Sequence, residues 1–227
     1  MLRNTLHTFL AGLLIAGLAV LAAPAFAFDH QKWDQLLQAH VSWRRDGVAS
    51  AVDYDGLEAD EAVLDSYLTR ISELDAQTFD GFSNASKLAF LINAYNAFTV
   101  KLILNQDSRP DSIRDIGSIF SGPWSQRFFT LLGEERTLDE LEHQMIRGNP
   151  ALMDPRIHFA VNCASVGCPA LRPEAYTSER LEAQLADSTR RFLSDRRRNR
   201  YDQPAGVVRV SPLFDWSEED SERAAGR

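Results

Sequence analysis

The sequence predicts one helix-rich α+β domain with a small, mainly antiparallel sheet and a buried central helix. Residues 88–104 are apolar on almost every side of a helix, which is typical of a helix enclosed by a core. Residues 128–132 and 207–210 are short β-like runs beside turn residues. Because amphipathic helical patterns surround these runs and no repeat or linker divides the chain, we expect helices packed around a small sheet.

Helical periodicity dominates the first part of the chain. Apolar residues recur at helical spacing in residues 29–44 and again in residues 57–74, which predicts two amphipathic helices. The central helix follows, with Ser83 or Asn84 as its N-cap.

Polar residues inside the central helix indicate its surroundings. Asn93, Asn96 and Lys101 interrupt the apolar stretch, which argues against a membrane span. Asn93 and Asn96 are three residues apart, so their amides emerge on one face. We expect these amides either to tie down a neighbouring loop, since buried amides need partners, or to shape a site.

The second part of the chain alternates helices and strands. Thr137 and Glu140 form a capping box that opens a helix over residues 138–147. Residues 157–161 alternate between apolar and polar side chains, which predicts a strand. A further amphipathic helix is expected over residues 177–194.

The segment after that helix is rich in arginine. Residues 190–200 contain six arginines, and the pattern predicts a solvated helix end whose charge suits the helix dipole. Residues 203–206 have turn chemistry and lead into the strand at 207–210.

The N-terminus has the organisation of a cleavable export signal. Arg3 precedes an apolar run of roughly 13 residues, short of the roughly 20 that a spanning helix needs. Ala25 and Ala27 then form a small-residue cleavage site. We therefore predict a signal peptide at residues 1–27 and one globular domain at residues 28–227. That domain is expected in the periplasm or outside the cell, with no membrane span after cleavage.

Composition narrows the class of partner. The chain has 24 basic and 32 acidic side chains and a net charge of −8. Such a charge gives no general attraction for nucleic acid. A small molecule, a peptide or an envelope component is the expected partner, and no cofactor or metal is expected.

The segment from Asp154 to Pro173 contains the residues whose types point to chemistry. Cys163 follows Asn162 at the end of the expected strand, and small residues follow it in a loop whose amides could stabilise an anion. This arrangement favours Cys163 as a thiol nucleophile.

A thiol nucleophile needs a base, and all five histidines precede Cys163. An extended strand would place His158 about 16 Å from Cys163. His143 on the preceding helix is therefore the preferred base, with Asn162 or Glu142 as its orienting group. His158 would then shape the site or bind substrate, and Asn93 would contribute to the pocket.

Three alternatives compete with a nucleophile. Cys163 and Cys168 are the only cysteines, and an oxidising compartment favours a disulfide between them. Both cysteines with His143 and His158 have the ligand types of a zinc site, although the spacing is not a zinc signature. His143 also lies where it could cap helix carbonyls.

The chain resembles the bacterial exported branch of the family of domains of unknown function 547. The similar residues extend from Val52 to Trp216, and the Asn162-Cys163-Ala164-Ser165 block is the most specific. The other matching pieces are Val52-Asp53-Tyr54 with Leu57, residues 88–97, residues 112–116, Pro123-Trp124, Glu142-His143 with Ile146-Arg147, residues 154–160, Gly167-Cys168-Pro169, and Ser211 with Phe214 and Trp216.

The resemblance implies a domain identity without a reaction, because the family has no assigned activity. Leu91 stands where many similar proteins have tryptophan, which implies a packing change. Similar proteins continue past the Phe-x-Trp motif with another helix, so a shortened C-terminal end is expected here.

Two hypotheses of function follow. The first is a cysteine-dependent hydrolase or acyltransferase, with Cys163 as nucleophile and His143 as base. The second is a non-catalytic binding or envelope-interaction domain with a Cys163–Cys168 disulfide, using the small-residue loop and Trp124 or Trp216 as its contact surface.

Overall fold

A computed structural model describes residues 27–44, 46–110, 112–117, 122–165 and 167–226. The predicted signal peptide lies outside these residues except for Ala27. The described residues form a helix-rich α+β domain, as the sequence predicts. Its α-helices are α1 Gln31–His40, α2 Tyr54–Ala59, α3 Glu61–Ser72, α4 Ala76–Asp80, α5 Asn84–Leu104, α6 Leu181–Ser194, α7 Leu213–Trp216 and α8 Glu218–Ala224.

The described strands form three separate antiparallel hairpins. Strands β1 Val41–Trp43 and β2 Ser50–Val52 pair first, followed by β3 Phe129–Leu131 with β4 Glu134–Arg136 and by β5 Arg200–Asp202 with β6 Val207–Arg209. The antiparallel prediction is confirmed, but the strands form three two-stranded sheets rather than one small sheet.

The central helix α5 is the core of the domain, as predicted. Its N-cap is Ser83, whose hydroxyl accepts a hydrogen bond from the amide of Ser86. By length and composition α5 could cross a membrane, but 83% of its most apolar window is buried inside the domain. That degree of burial is characteristic of a core helix.

Three predicted helices differ in their bounds. The first is shorter than residues 29–44, because the chain turns into β1 at Val41. Residues 57–74 belong to two helices, α2 and α3, which are separated at Asp60. Helix α6 begins at Leu181 and is preceded by a turn over residues 178–180.

The capping box is confirmed, but the helix that it opens is wider than an α-helix. Thr137 Oγ1 accepts from the amide of Glu140 at 3.0 Å, and Glu140 Oε2 accepts from the amide of Thr137 at 3.1 Å. A π-helix then runs over Glu140–Ile146. Single π-turns are frequent at functional sites.

The strand predicted at residues 157–161 is wrong. A 3-10 helix occupies Pro155–Phe159, with Asp154 accepting the amide of Arg156 as N-cap. Proline at the first position has a φ already suited to a helical turn. Ile157 and Val161, four residues apart, both face the core, so a turn satisfies the same apolar pattern as a strand. The distance argument that set His158 aside therefore fails.

Candidate functional site

A cavity of about 350 Å³ lies between α5, the π-helix, the 3-10 helix, the cysteine loop and α7. Five residues that the sequence selects line it together: Glu142, His143, His158, Cys163 and Cys168. These residues come from separate elements, and the 3-10 helix at Pro155–Phe159 brings His158 to the same space as Cys163. The cavity is therefore the candidate functional site.

The two cysteines at the cavity wall are joined in a disulfide, with their Cα atoms 5.9 Å apart. Neither sulfur is a free thiol, as the second hypothesis expects. Cys168 is buried, whereas Cys163 is partly exposed. The zinc alternative needs both sulfurs as thiolates, and the disulfide removes those ligands.

Asn162 holds the cysteine loop in shape from outside the cavity. Its amide nitrogen donates to the carbonyl of Pro169 at 2.6 Å, and its amide oxygen accepts from the backbone of Ala164 at 3.0 Å. Ala164 has a φ of 52°, a left-handed conformation that costs energy in a residue with a side chain. The hydrogen bond that the Ala164 amide donates to the side chain of Asn162 stabilises that turn, so Asn162 positions the loop.

His158 is buried between two carboxylates. Its side chain is 5% exposed, with Nε2 2.8 Å from Asp220 Oδ2 and Nδ1 3.8 Å from Glu142 Oε1. An imidazole N–H that donates to a carboxylate is fixed in orientation, and the second ring nitrogen then faces the other way. His158 is thus the histidine of the cavity whose ring is oriented by an acid.

Asp220 also binds Arg147 and thereby connects α8 to the cavity. The Asp220 side chain is 2% exposed, and its carboxylate accepts from Arg147 Nε as well as from His158. Burial favours the neutral form of Asp220, but the hydrogen bonds from Arg147 and His158 outweigh that effect and lower the pKa of Asp220. Asp220 is therefore held as a carboxylate.

His143 is exposed and has a different partner. Its Nδ1 lies 2.7 Å from a guanidinium nitrogen of Arg147. Because arginine only donates, Nδ1 must accept that hydrogen bond. The ring nitrogen that remains for a ligand is Nε2. The predicted role of His143 as helix cap has no counterpart among the described hydrogen bonds.

The two asparagines of the central helix bind backbone rather than the cavity. Asn93 donates to the carbonyl of Tyr176 at 2.8 Å and accepts from the amide of Tyr176 at 3.0 Å. Asn96 donates to the carbonyl of Ala160 at 3.1 Å and accepts from the amide of Asn162 at 2.7 Å. Asn96 thus fixes the start of the cysteine loop, which corresponds to the loop-tying alternative.

Several residues of the site have no signal in the sequence. Arg114, Tyr95 and Asp139 line the cavity together with Trp124 and Trp216. The two tryptophans belong to the contact surface that the second hypothesis proposes, but the other three were missed. Asp220 was also missed, because it lies in an acidic stretch far from the histidine that it binds.

Comparison with known proteins assigns the family. A sequence model described as "Protein of unknown function, DUF547" matches residues 79–193. The chain belongs to the DUF547 family. No curated protein and no solved structure matches it. The matched DUF547 region contains α5, the π-helix and the cysteine loop, whereas Asp220 and Trp216 lie beyond its end.

Proposed function

We propose that this DUF547 protein is an exported binding domain that takes a small molecule or the end of a peptide into the cavity beside Cys163. The single observation that carries the proposal is the Cys163–Cys168 disulfide in the cavity wall. A sulfur in a disulfide is neither a nucleophile nor a metal ligand. In this state the site therefore holds a ligand rather than attacking it.

The disulfide and the predicted export signal support each other. Disulfides persist in the periplasm and outside the cell, and reducing systems remove them from the cytosol. A bacterial exported branch of the family and a periplasmic or secreted location are both part of this proposal.

The cavity has the size and composition of a small-ligand site. Its volume of about 350 Å³ lies at the lower end of the range for such pockets. Val161, Leu213 and Trp216 provide apolar wall, and Arg114 and His143 provide polar groups. A few polar groups among apolar walls orient a ligand and give specificity.

The deciding experiment is the intact mass of the purified mature protein after iodoacetamide treatment without reductant, at about pH 6.5. The proposal predicts no labelling, a mass two units below that of the dithiol form, and labelling of both sulfurs after reduction. The Cys163→Ala, Cys168→Ala double variant should be less stable by about 2–4 kcal/mol in urea unfolding, a typical disulfide contribution. Fast labelling of Cys163 without reductant, or unchanged stability of the double variant, would contradict the proposal.

A second candidate function is favoured by the Asp220–His158 hydrogen bond. A cysteine-dependent hydrolase or acyltransferase would need the disulfide to be reduced by an exported dithiol protein. The Cys163 thiolate would then attack an acyl carbon, and the imidazole that takes the thiol proton would pass it to the leaving group. In this candidate we assign the role of base to His158 in place of the predicted His143, because the carboxylate of Asp220 orients its ring.

Alkylation of the reduced protein tests this second candidate. It predicts that Cys163 reacts faster than Cys168 at about pH 6.5 and that Asp220→Asn slows this reaction, because the base loses its orienting group. Equal alkylation rates at the two sulfurs would leave binding as the function of the cavity.

A further inference from the structure

Trp124, Arg114 and Asp139 are among the polar groups of the cavity for which the described residues provide no partner. The indole Nε1–H of Trp124 is buried without a hydrogen bond. The guanidinium of Arg114 and the carboxylate of Asp139 form no hydrogen bond or ion pair with any described residue. Asp139 stands at the start of the π-helix, but its side chain does not cap that helix, because Thr137 does.

The other charged groups of the cavity are already occupied. Arg147 binds Asp220 and His143. Glu142 lies between His158 and the hydroxyl of Tyr95. Burial, and then the neighbouring Glu142, raise the pKa of Tyr95 well above its usual value, so this hydroxyl stays protonated. Arg114, Asp139 and Trp124 therefore remain for a ligand, together with Nε2 of His143 and the hydroxyl of Ser165.

These remaining groups differ in what they bind. Arg114 and the Trp124 N–H are donors, which pair with an anionic acceptor such as a carboxylate. Asp139 is an acceptor, which pairs with an ammonium group. The indole N–H of Trp124 is a buried donor without a partner, which is costly, so a ligand that supplies an acceptor relieves that cost. Arg114 is exposed and Asp139 is half-buried, so water solvates both charges without a ligand. A ligand with both charges pairs with both residues, and a ligand with a single charge pairs with one of them.

We propose that the cavity binds a zwitterionic α-amino acid with an apolar side chain. Its carboxylate pairs with Arg114 and the Trp124 indole, its ammonium group pairs with Asp139, and its side chain lies against the apolar wall that includes Trp216 and Leu213. This inference rests on the proposed function, because it names the ligand class of the same binding site.

The test uses three forms of one compound, measured by isothermal titration calorimetry at about pH 6.5, where the α-amino group is protonated. L-phenylalanine has both charges, N-acetyl-L-phenylalanine only the carboxylate, and L-phenylalaninamide only the ammonium group. We expect L-phenylalanine to bind about tenfold or more tightly than either single-charge form, because each charge-assisted hydrogen bond contributes that order of free energy.

Two variants assign the charges to their residues. Arg114→Gln should lower the affinity for L-phenylalanine about tenfold and leave the affinity for L-phenylalaninamide unchanged, because the amide has no carboxylate for Arg114 to bind. Asp139→Asn should lower the affinity for L-phenylalanine by a similar factor. It should leave the affinity for N-acetyl-L-phenylalanine unchanged, because that compound has no ammonium group. The matched controls are Arg190→Gln and Asp80→Asn, which remove the same charges from exposed positions outside the cavity and should leave all three titrations unchanged.

The outcomes separate this inference from the proposed function. If a single-charge form binds as tightly as L-phenylalanine, or the two cavity variants behave like their controls, zwitterion recognition is overturned while a binding site remains. If none of the three compounds binds at concentrations up to about 10 mM, the inference is also overturned. The proposed function is then judged by the alkylation and unfolding experiments, which use no ligand.

Discussion

Two regions hold the cavity in place, and they use different chemistry. On one side the amide of Asn96 binds the backbone of Ala160 and Asn162, so neutral groups attach the cysteine loop to the central helix. On the other side the carboxylate of Asp220 attaches α8 through Arg147 and His158. The first attachment lies inside the region that matches the DUF547 family, and the second lies beyond it.

Because one attachment is neutral and the other is charged, we expect them to differ in their sensitivity to pH and salt. A neutral hydrogen bond inside a core responds little to pH or salt, whereas a charged attachment depends on the ionisation of its members. The central-helix side should therefore behave as a permanent part of the domain. The attachment of α8 should be the first to weaken as the pH is lowered.

The largest expected effect is that of Asn96→Ala. The substitution leaves a backbone carbonyl at Ala160 and an amide at Asn162 unpaired in a buried region, which should lower the free energy of unfolding by about 2–4 kcal/mol. Urea unfolding followed by circular dichroism measures this loss. Asn105→Ala is the matched control, because Asn105 is exposed at the other end of α5, and it should change little. A similar small effect for both variants would show that the amide attachment contributes little.

A smaller and more local effect is expected for Asp220→Asn. The substitution keeps the shape but removes the charge opposite Arg147 and His158. The loss should be about 2 kcal/mol, below that of a fully buried pair, because the Arg147 side chain is 20% exposed and can turn towards water. Hydrogen exchange should become faster in α8 and in Pro155–Phe159 while the centre of α5 stays protected.

Glu219→Gln is the matched control for that variant. It removes the same charge from an exposed position on the same helix, and it should leave hydrogen exchange unchanged. If Asp220→Asn also leaves α8 protected, then apolar contacts rather than the carboxylate hold this helix.

The smallest expected effect is the pH dependence of the α8 attachment. The pKa of Asp220 is lowered from 3.8 in the folded protein, so Asp220 contributes stability that is complete above about pH 4 and is lost as the pH falls through the folded value. Arg147, His158 and Arg223 are the charged or titratable groups that face it. Tryptophan emission or hydrogen exchange of α8 between about pH 5 and 2 measures the release.

Other carboxylates titrate in the same range, including Asp187 and Glu174, whose pKa values are also lowered. The difference between the acid profiles of the wild-type protein and of Asp220→Asn isolates the contribution of Asp220. Identical acid profiles for the two proteins would contradict this assignment.

The sequence predicts local structure well where a local cause determines it. The helix predicted from the apolar stretch of α5, the Thr137 and Glu140 capping box and the turn before β6 were all confirmed, because each depends on residues within one segment. The strand expected at residues 157–161 was wrong for a local reason too. A five-residue segment in which Ile157 and Val161 face the core fits a strand and a helical turn equally well.

The site could be predicted only in part. Cys163, His143 and His158, which the sequence selects for their chemistry, line the cavity, and both possible states of the cysteines were considered. Asp220 was missed because 62 positions separate it from His158, and an acidic residue in an acidic stretch has no local signal. Arg114 and Asp139 were missed for the same reason, since only the folded chain brings them to one cavity.

The placement of the tryptophans makes the protein an optical reporter of its own cavity. Trp33 is fully buried in the core, and the guanidinium of Arg191 stacks on Trp43 at 4.1 Å. The emission of these two tryptophans should therefore not change when a ligand enters the cavity. Trp124 and Trp216 line the cavity, and Trp216 is 54% exposed. A molecule that enters would displace water from these two rings and shift the emission of the whole protein towards the blue. Compound collections could therefore be screened against the unmodified chain without attaching a dye.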